Sequence, residues 1–173
     1  MKKLIFGIIL TFLISACSSH KGDYLVKFYE GALDEIGVPS GYLNSEGDTI
    51  VPMGKYYYCY TDTIRDFGVV MEHETGKILG IDQNANELFE VLRYDNGPDY
   101  VQSGLFRIVD NGMIGYANIQ GEVIIEPRFF CAYPFEGDYA KVSDNCEIEK
   151  EGEYTSWISN DWYQITKEGK RVD

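Results

Sequence analysis

The sequence predicts an all-β fold, a tandem of β-hairpin units forming an open curved meander. Three observations carry that prediction. Met113 to Ala117 is an apolar strand that turns at Asn118-Ile119-Gln120-Gly121 and returns as Glu122 to Ile125, and Pro127, which has no N–H to give to a ladder, ends the return. The same spacing recurs along the chain. Asn111-Gly112 stands between the apolar runs Leu105–Asp110 and Met113–Ala117, a strong short-range hairpin signal.

Taken in order, the chain begins with a pattern that reads as processing signal. Lys2 and Lys3 precede the apolar run Leu4 to Ile14, which is too short to span a bilayer, and Ile14-Ser15-Ala16-Cys17 resembles a bacterial lipobox. The resemblance implies a signal peptide over 1–16, a mature N-terminus at an acylated Cys17, a tether over 17–23 and a folded domain over 24–173. It implies a membrane partner through Cys17 and, with Ser18 following it, the outer membrane of a Gram-negative envelope.

Leu25 to Tyr29 reads as a strand and as the first edge partner of the array, while Leu25, Phe28, Tyr29, Ala32, Leu33 and Ile36 also sit near helical spacing, which is the alternative. Repeat units are expected near 24–71, 72–108, 109–142 and 143–173. In the first, Gly41-Tyr42 leads to the turn Asn44–Gly47 and the return Thr49–Val51. In the second, Gly80 leads to a turn in which Asn86 takes the glycine slot, with Ala85 as the other register. In the last, Trp162-Tyr163 leads to the turn Thr166–Gly169. Asparagine tolerates the left-handed backbone that a short hairpin loop demands of this slot. Three residues past the slot stand Ile50, Phe89, Ile124 and Val172, expected to face the core; one residue past it stand Asp48, Glu87, Glu122 and Lys170, expected in solvent. Val69–Glu72 and Lys77–Ile81 should pair over His73–Gly76. Ser143 to Asp161 is polar and charged.

With those residues in place, Gly115-Tyr116, Gly121, Ile124, Pro127, Phe135, Gly137, Ala140 and Val142 together resemble the WG-repeat family of bacterial proteins. Trp162 falls at the family tryptophan, while Ser40, Leu79 and Ile114 replace it in the other units. The resemblance implies a β-rich array and no catalytic role.

Charge narrows the partners. The full chain has 15 basic and 28 acidic side chains; loss of Lys2 and Lys3 leaves 13 against 28, a net charge of −15. Such a body disfavours nucleic acid and suits basic protein faces or cation-bridged glycans. No cofactor motif and no zinc pattern is present, since His20 and His73 have no second histidine at helical spacing. Asp95-Asn96-Gly97-Pro98-Asp99 lacks the alternation and terminal glutamate of a calcium loop and reads as a turn. Tyr56, Tyr58 and Tyr60 would share one face of a strand, either as core or as an aromatic binding surface. Cys131 and Cys146 are a candidate disulfide, with Cys59–Cys131 as the rival. The sequence therefore suggests a non-catalytic binding or scaffold lipoprotein of the cell envelope, whose partner is a protein or a glycan. An envelope hydrolase on glycans or peptides is the alternative.

Overall fold

The computed structural model describes residues 24–31, 38–151 and 154–172. The signal run, Cys17 and the tether lie outside the described residues. Every described element is a strand and every pairing is antiparallel. The first sheet holds β1 (Leu25–Tyr29), β2 (Ser40–Leu43), β3 (Thr49–Val51) and, after the short β4 (Tyr58–Cys59), β5 (Thr63–Ile64), in the order β3-β2-β1-β5. β1 therefore sits inside this sheet, between β2 and β5, and not at its edge.

The central sheet follows the chain almost strand by strand. β6 (Gly68–Met71), β7 (Ile78–Ile81) and β8 (Glu87–Val91) lead past a side hairpin, β9 (Arg93–Tyr94) and β10 (Gly97–Pro98). β11 (Leu105–Asp110), β12 (Met113–Asn118) and β13 (Val123–Phe129) complete it, in the order β13-β12-β11-β8-β7-β6-β4. A third sheet joins β14 (Cys131–Ala132), β15 (Tyr139–Ser143), β18 (Tyr163–Thr166) and β19 (Arg171–Val172). β16 (Glu147–Glu151) and β17 (Tyr154–Ile158) form a separate hairpin. None of these sheets closes into a barrel.

One turn is used four times. Gly47 N–H donates to Asn44 C=O, Ala85 to Asp82, Gly121 to Asn118 and Gly169 to Thr166; in each case the turn's first residue also donates from its own N–H to the carbonyl four residues on. In three of them an Asx side chain accepts two backbone N–H bonds as well, at Asn44, Asp82 and Asn118. The fourth residue of the turn is left-handed, with φ of 92°, 61°, 80° and 73° at Gly47, Ala85, Gly121 and Gly169. The slot in the second unit therefore belongs to Ala85 and not to Asn86. Gly80 accordingly takes the position of Tyr42 and Tyr116, and Ile78, not Leu79, takes that of the family tryptophan.

The return strands correct the expected faces. Tyr42 pairs with Val51 but Leu43 with Thr49; Gly80 pairs with Phe89 but Ile81 with Glu87; Tyr116 pairs with Ile125 but Ala117 with Val123. Each return strand thus carries one extra residue, a β-bulge at Ile50, Leu88 and Ile124. Because side chains alternate, one inserted residue exchanges the faces. Ile50 and Ile124 are exposed, and Val51 and Ile125 next to them are buried.

Three apolar clusters form the core. Tyr42, Val51, Cys59, Ile64 and Val70 centre the first; Ile78, Val91, Phe106, Ile108 and Ala117 the second; Tyr116, Ile125, Phe129, Phe135 and Val142 the third. Each draws on more than one hairpin, as expected of units that cannot bury an apolar face alone. Tyr42 and Tyr116 do the same work in their units. Each is buried, and each donates its hydroxyl to a carbonyl of the following segment, Thr61 at 2.6 Å and Tyr133 at 2.7 Å. Gly41 and Gly115 precede them because the return strand presses on the backbone there. A Cβ would stand 2.3 Å from the Val51 carbonyl oxygen at Gly41 and 2.4 Å from that of Ile125 at Gly115.

Candidate functional site

The tyrosines singled out in the sequence do not form one surface. Only Tyr58 and Cys59 are extended as a strand, so the alternation breaks on either side. Tyr56 is buried in the first core cluster beside Cys59. Tyr58 and Tyr60 are half-buried and meet edge-on at 4.8 Å. Tyr60 also lines an apolar hollow of about 310 Å³ with Phe67, Val101, Phe106 and Ile119. Burial pushes its hydroxyl pKa up, against the opposing pull of Arg93.

Cys131 and Cys146 are joined as a disulfide with Cα atoms 6.0 Å apart, and Cys59 is buried with a free thiol. Burial raises the pKa of that thiol. Asp99 leaves the turn that its sequence neighbours form and is buried against Arg107. Its Oδ2 accepts from the Arg107 backbone N–H at 2.8 Å and from Nε at 2.9 Å, and its Oδ1 accepts from Nη2 at 2.5 Å. The guanidinium's remaining reach goes to the Ala132 carbonyl, 3.1 Å from Nη1. A paired, fully hydrogen-bonded charge is the form in which a guanidinium tolerates burial.

Over this pair runs a strip of aromatic rings. Tyr100 and Tyr94 meet edge-on at 5.6 Å. The Arg107 guanidinium carbon lies 5.7 Å from the Tyr94 ring and 6.0 Å from that of Trp157. Trp157 meets Tyr133 edge-on at 5.5 Å, and Tyr133 meets Trp162 at 5.2 Å. Lys141 Nζ stands 4.9 Å from the Trp162 ring and 5.9 Å from that of Tyr133. Tyr94, Tyr100 and Tyr133 are 51%, 62% and 40% exposed, and the two indoles are half-buried. Tyr94, Tyr100 and Tyr133 are thus open to solvent, while Trp157 packs against the third core cluster.

The strip is assembled from distant segments, and specific bonds hold it. Arg107 on β11 reaches β14 through Ala132. Ser103 accepts the Gly137 N–H at 2.9 Å and donates to Phe135 C=O at 3.2 Å. The β16–β17 hairpin, which carries Trp157, is pinned at both ends. The disulfide fixes Cys146 before β16, and after β17 the Ser159 hydroxyl lies 2.8 Å from that of Ser143 and donates to Asn145 C=O at 2.6 Å. Beside Trp162, Tyr163 donates to an Asp144 carboxylate oxygen at 2.8 Å; burial first, then that carboxylate, push its pKa up to about 12.

Sequence reasoning did not assemble this strip, because its rings come from three separated stretches, 94–100, 133 and 157–162. The available signal was that both tryptophans of the chain fall within or beside the polar Ser143–Asp161 segment, where no apolar alternation accounts for them. Among the described residues no group of three His, Cys, Asp or Glu side chains is placed to hold a metal ion.

The strand-turn-strand of β12 and β13 continues into β14 and β15, and residues 114–145 match the family model of the WG containing repeat. The chain carries a WG repeat. Gly115, Tyr116, Gly121 and the Phe135–Val142 half all fall within the matched stretch, so the close-approach glycine, the buried tyrosine and the left-handed turn glycine are features of this WG repeat. Tyr133 of the strip, together with the Lys141 ammonium beside it, lies inside the repeat as well, and both tryptophans lie beyond it. No curated protein and no solved structure matches the chain.

Proposed function

We propose that this protein is a non-catalytic binding or scaffold module of the cell envelope, built throughout from degenerate WG repeats and anchored to the outer membrane by acyl chains on Cys17. The observation that carries the binding role is the exposed ring strip over Arg107. Rigid aromatic side chains give contact area at low cost in conformational entropy, and here the scaffold presents them already ordered. The matched WG repeat at 114–145 supports the repeat reading, since stacked repeats present extended surfaces suited to recognition. Support for the anchor is the Leu4–Ile14 run ending in Ser15-Ala16-Cys17.

The test is a photo-cross-linking residue at position 133 in the envelope of cells, with the same residue at exposed Tyr57 as control. A discrete product from position 133 alone, together with acylated Cys17 by mass spectrometry, is the expected result. Turnover of a glycan or peptide library by the purified chain, lost when one acidic pair is changed, would replace the binding reading with the envelope hydrolase.

A further inference from the structure

We infer that the groove bounded by β8, the β11–β12 turn and β13 is a docking site for an extended segment of a partner protein in which basic and apolar side chains alternate. The groove shares no residue with the ring strip, so the inference goes beyond the reading above and does not depend on it.

The groove has a volume of about 680 Å³. Its apolar lining includes Leu88 of β8 and Val123 of β13, which are 42% and 39% exposed, and the half-buried Phe89 and Pro127. Open apolar side chains gathered in one concavity let a partner's apolar side chains leave water on contact. Backbone pairing beside them is incomplete. β8 pairs with β11 only where Val91 and Glu90 stand opposite Ile108 and Val109, so the first half of β8 has β7 on one side and no strand on the other. β13 is itself the edge strand of the central sheet. Strands with a free side accept an extended chain, whose alternate side chains then point to opposite faces.

Charge selects the composition of that chain. Glu87, Asp110 and Glu126 line the groove as exposed carboxylates, and none of them has an ion-pair partner among the described residues. Among the described residues the one basic side chain that lines the groove is Lys77, and it is already paired with Glu90 at 2.6 Å. That bond pushes the Lys77 pKa up, and the charges of Glu72 and Asp110 push the same way. With Glu90 included, four carboxylates stand against one ammonium, a net charge of −3 in the lining. An acidic segment is repelled, and a neutral one leaves carboxylates uncompensated as water is excluded. Among the described residues these acids do not come together in threes as a metal site, so several spaced positive side chains match them better than one cation does.

The test is the fluorescence anisotropy of a labelled peptide of four Lys-Val repeats, titrated with the full chain at physiological salt. The peptide should bind, octalysine should bind at least about tenfold more weakly, and a peptide of four Glu-Val repeats should not bind. Glu126→Gln and Asp110→Asn should each weaken the Lys-Val peptide about threefold or more, whereas Lys77→Gln should strengthen it by freeing Glu90. Glu46→Gln, which removes the same charge from the exposed β2–β3 turn, should leave it unchanged. Leu88→Ser should weaken it at least about fivefold with little change in melting temperature, because Leu88 is already exposed. Ile148→Ser, on β16 and 64% exposed, should bind as the parent does. No anisotropy change with the Lys-Val peptide overturns the assignment. Equal affinity for octalysine, with Glu46→Gln as damaging as Glu126→Gln, means attraction to the acidic body as a whole and also overturns it. In either case a cross-link from position 133 would leave the role of the ring strip standing, so the two readings fail separately.

Discussion

Arg107 and Asp99 form an ion pair that is almost wholly buried, with side-chain exposures of 4% and 1%, and every reachable oxygen of Asp99 is occupied by Arg107 alone. The pair ties the loop after β10 to the middle of the central sheet, and through Ala132 to the third sheet. Removing one partner leaves an uncompensated charge in the core. Asp99→Asn should therefore destabilise the fold by about 3–5 kcal/mol. The double change Asp99→Leu with Arg107→Met should recover much of that loss, because it removes both charges. Urea unfolding of the three proteins reads the difference.

Tyr42 and Tyr116 hold equivalent places, and each donates one hydrogen bond from a buried hydroxyl. Phenylalanine keeps the ring and strands the accepting carbonyl. Each Tyr→Phe variant should lose about 1 kcal/mol, and the losses should add, because the two tyrosines sit in separate core clusters. Burial pushes both hydroxyl pKa values well above the ordinary range, so neither side chain should show phenolate absorbance before alkaline unfolding.

The left-handed slot gives a contrast of sign. Ala85 holds φ of 61° where the other three turns have glycine. Ala85→Gly should stabilise by about 1 kcal/mol, since the Cβ penalty of that region disappears. Gly121→Val should destabilise by more than about 1 kcal/mol. It acquires the same penalty, and its Cβ would also stand 2.8 Å from the Phe67 ring. Gly115→Ala should cost still more for a different reason, because the obstruction is the fixed Ile125 carbonyl and not a movable side chain. Thermal melts of the three variants order these effects.

Particular residues mark how far the sequence could be read. The turn at Asn118–Gly121 was legible because glycine there has a backbone reason, and its recurrence placed the hairpins at 44–47 and 166–169. The Val69 and Leu105 hairpins were legible from apolar runs around turn residues. The bulges at Ile50, Leu88 and Ile124 were not, because an unpaired residue changes no composition and yet reverses every side chain beyond it. The second unit was misaligned by one for a related reason. Alanine gives no sign of a left-handed backbone, whereas its neighbour asparagine does. The ring strip was illegible because Arg107 reaches Tyr94 and Trp157, and Trp157 meets Tyr133, only through long-range contacts that no local pattern encodes.

The turns also differ in acid sensitivity. Asp82 stands where Asn44 and Asn118 stand in two other units. Burial acts to raise the Asp82 pKa, but bonds from Asn86 and Asn84 outweigh it, and the net shift is downward. A carboxyl depressed on folding contributes stability above its unfolded value, near 3.9, and loses it as pH falls through the folded value. Asp82→Asn should flatten that part of the acid limb of a pH–stability curve measured from pH 5 downward, while leaving the neutral region little changed. An acid limb of undiminished slope in the variant would mean that other carboxylates account for it.

The Cys131–Cys146 bridge closes a loop of sequence separation 15 and fixes the entry to the hairpin that carries Trp157. Chain-entropy arguments give such a loop about 3 kcal/mol of stabilisation. Cys131 is itself buried, so serine there would add a polar group to the core and overstate the effect. The cleaner variant is Cys146→Ser, whose position is only half-buried. It should lower the melting temperature, and reduction of the parent protein should lower it comparably, while the variant itself should be indifferent to reductant. Its second consequence is local. With Cys146 released, the Ser143–Ser159–Asn145 hydroxyl network and the packing of Trp157 on the core still hold the hairpin, but Trp157 loses part of its support against Tyr133. Acrylamide quenching of tryptophan emission should therefore rise in Cys146→Ser at temperatures where the far-ultraviolet spectrum is still native. Equal quenching in the two proteins would show that the hairpin is held in place without the bridge.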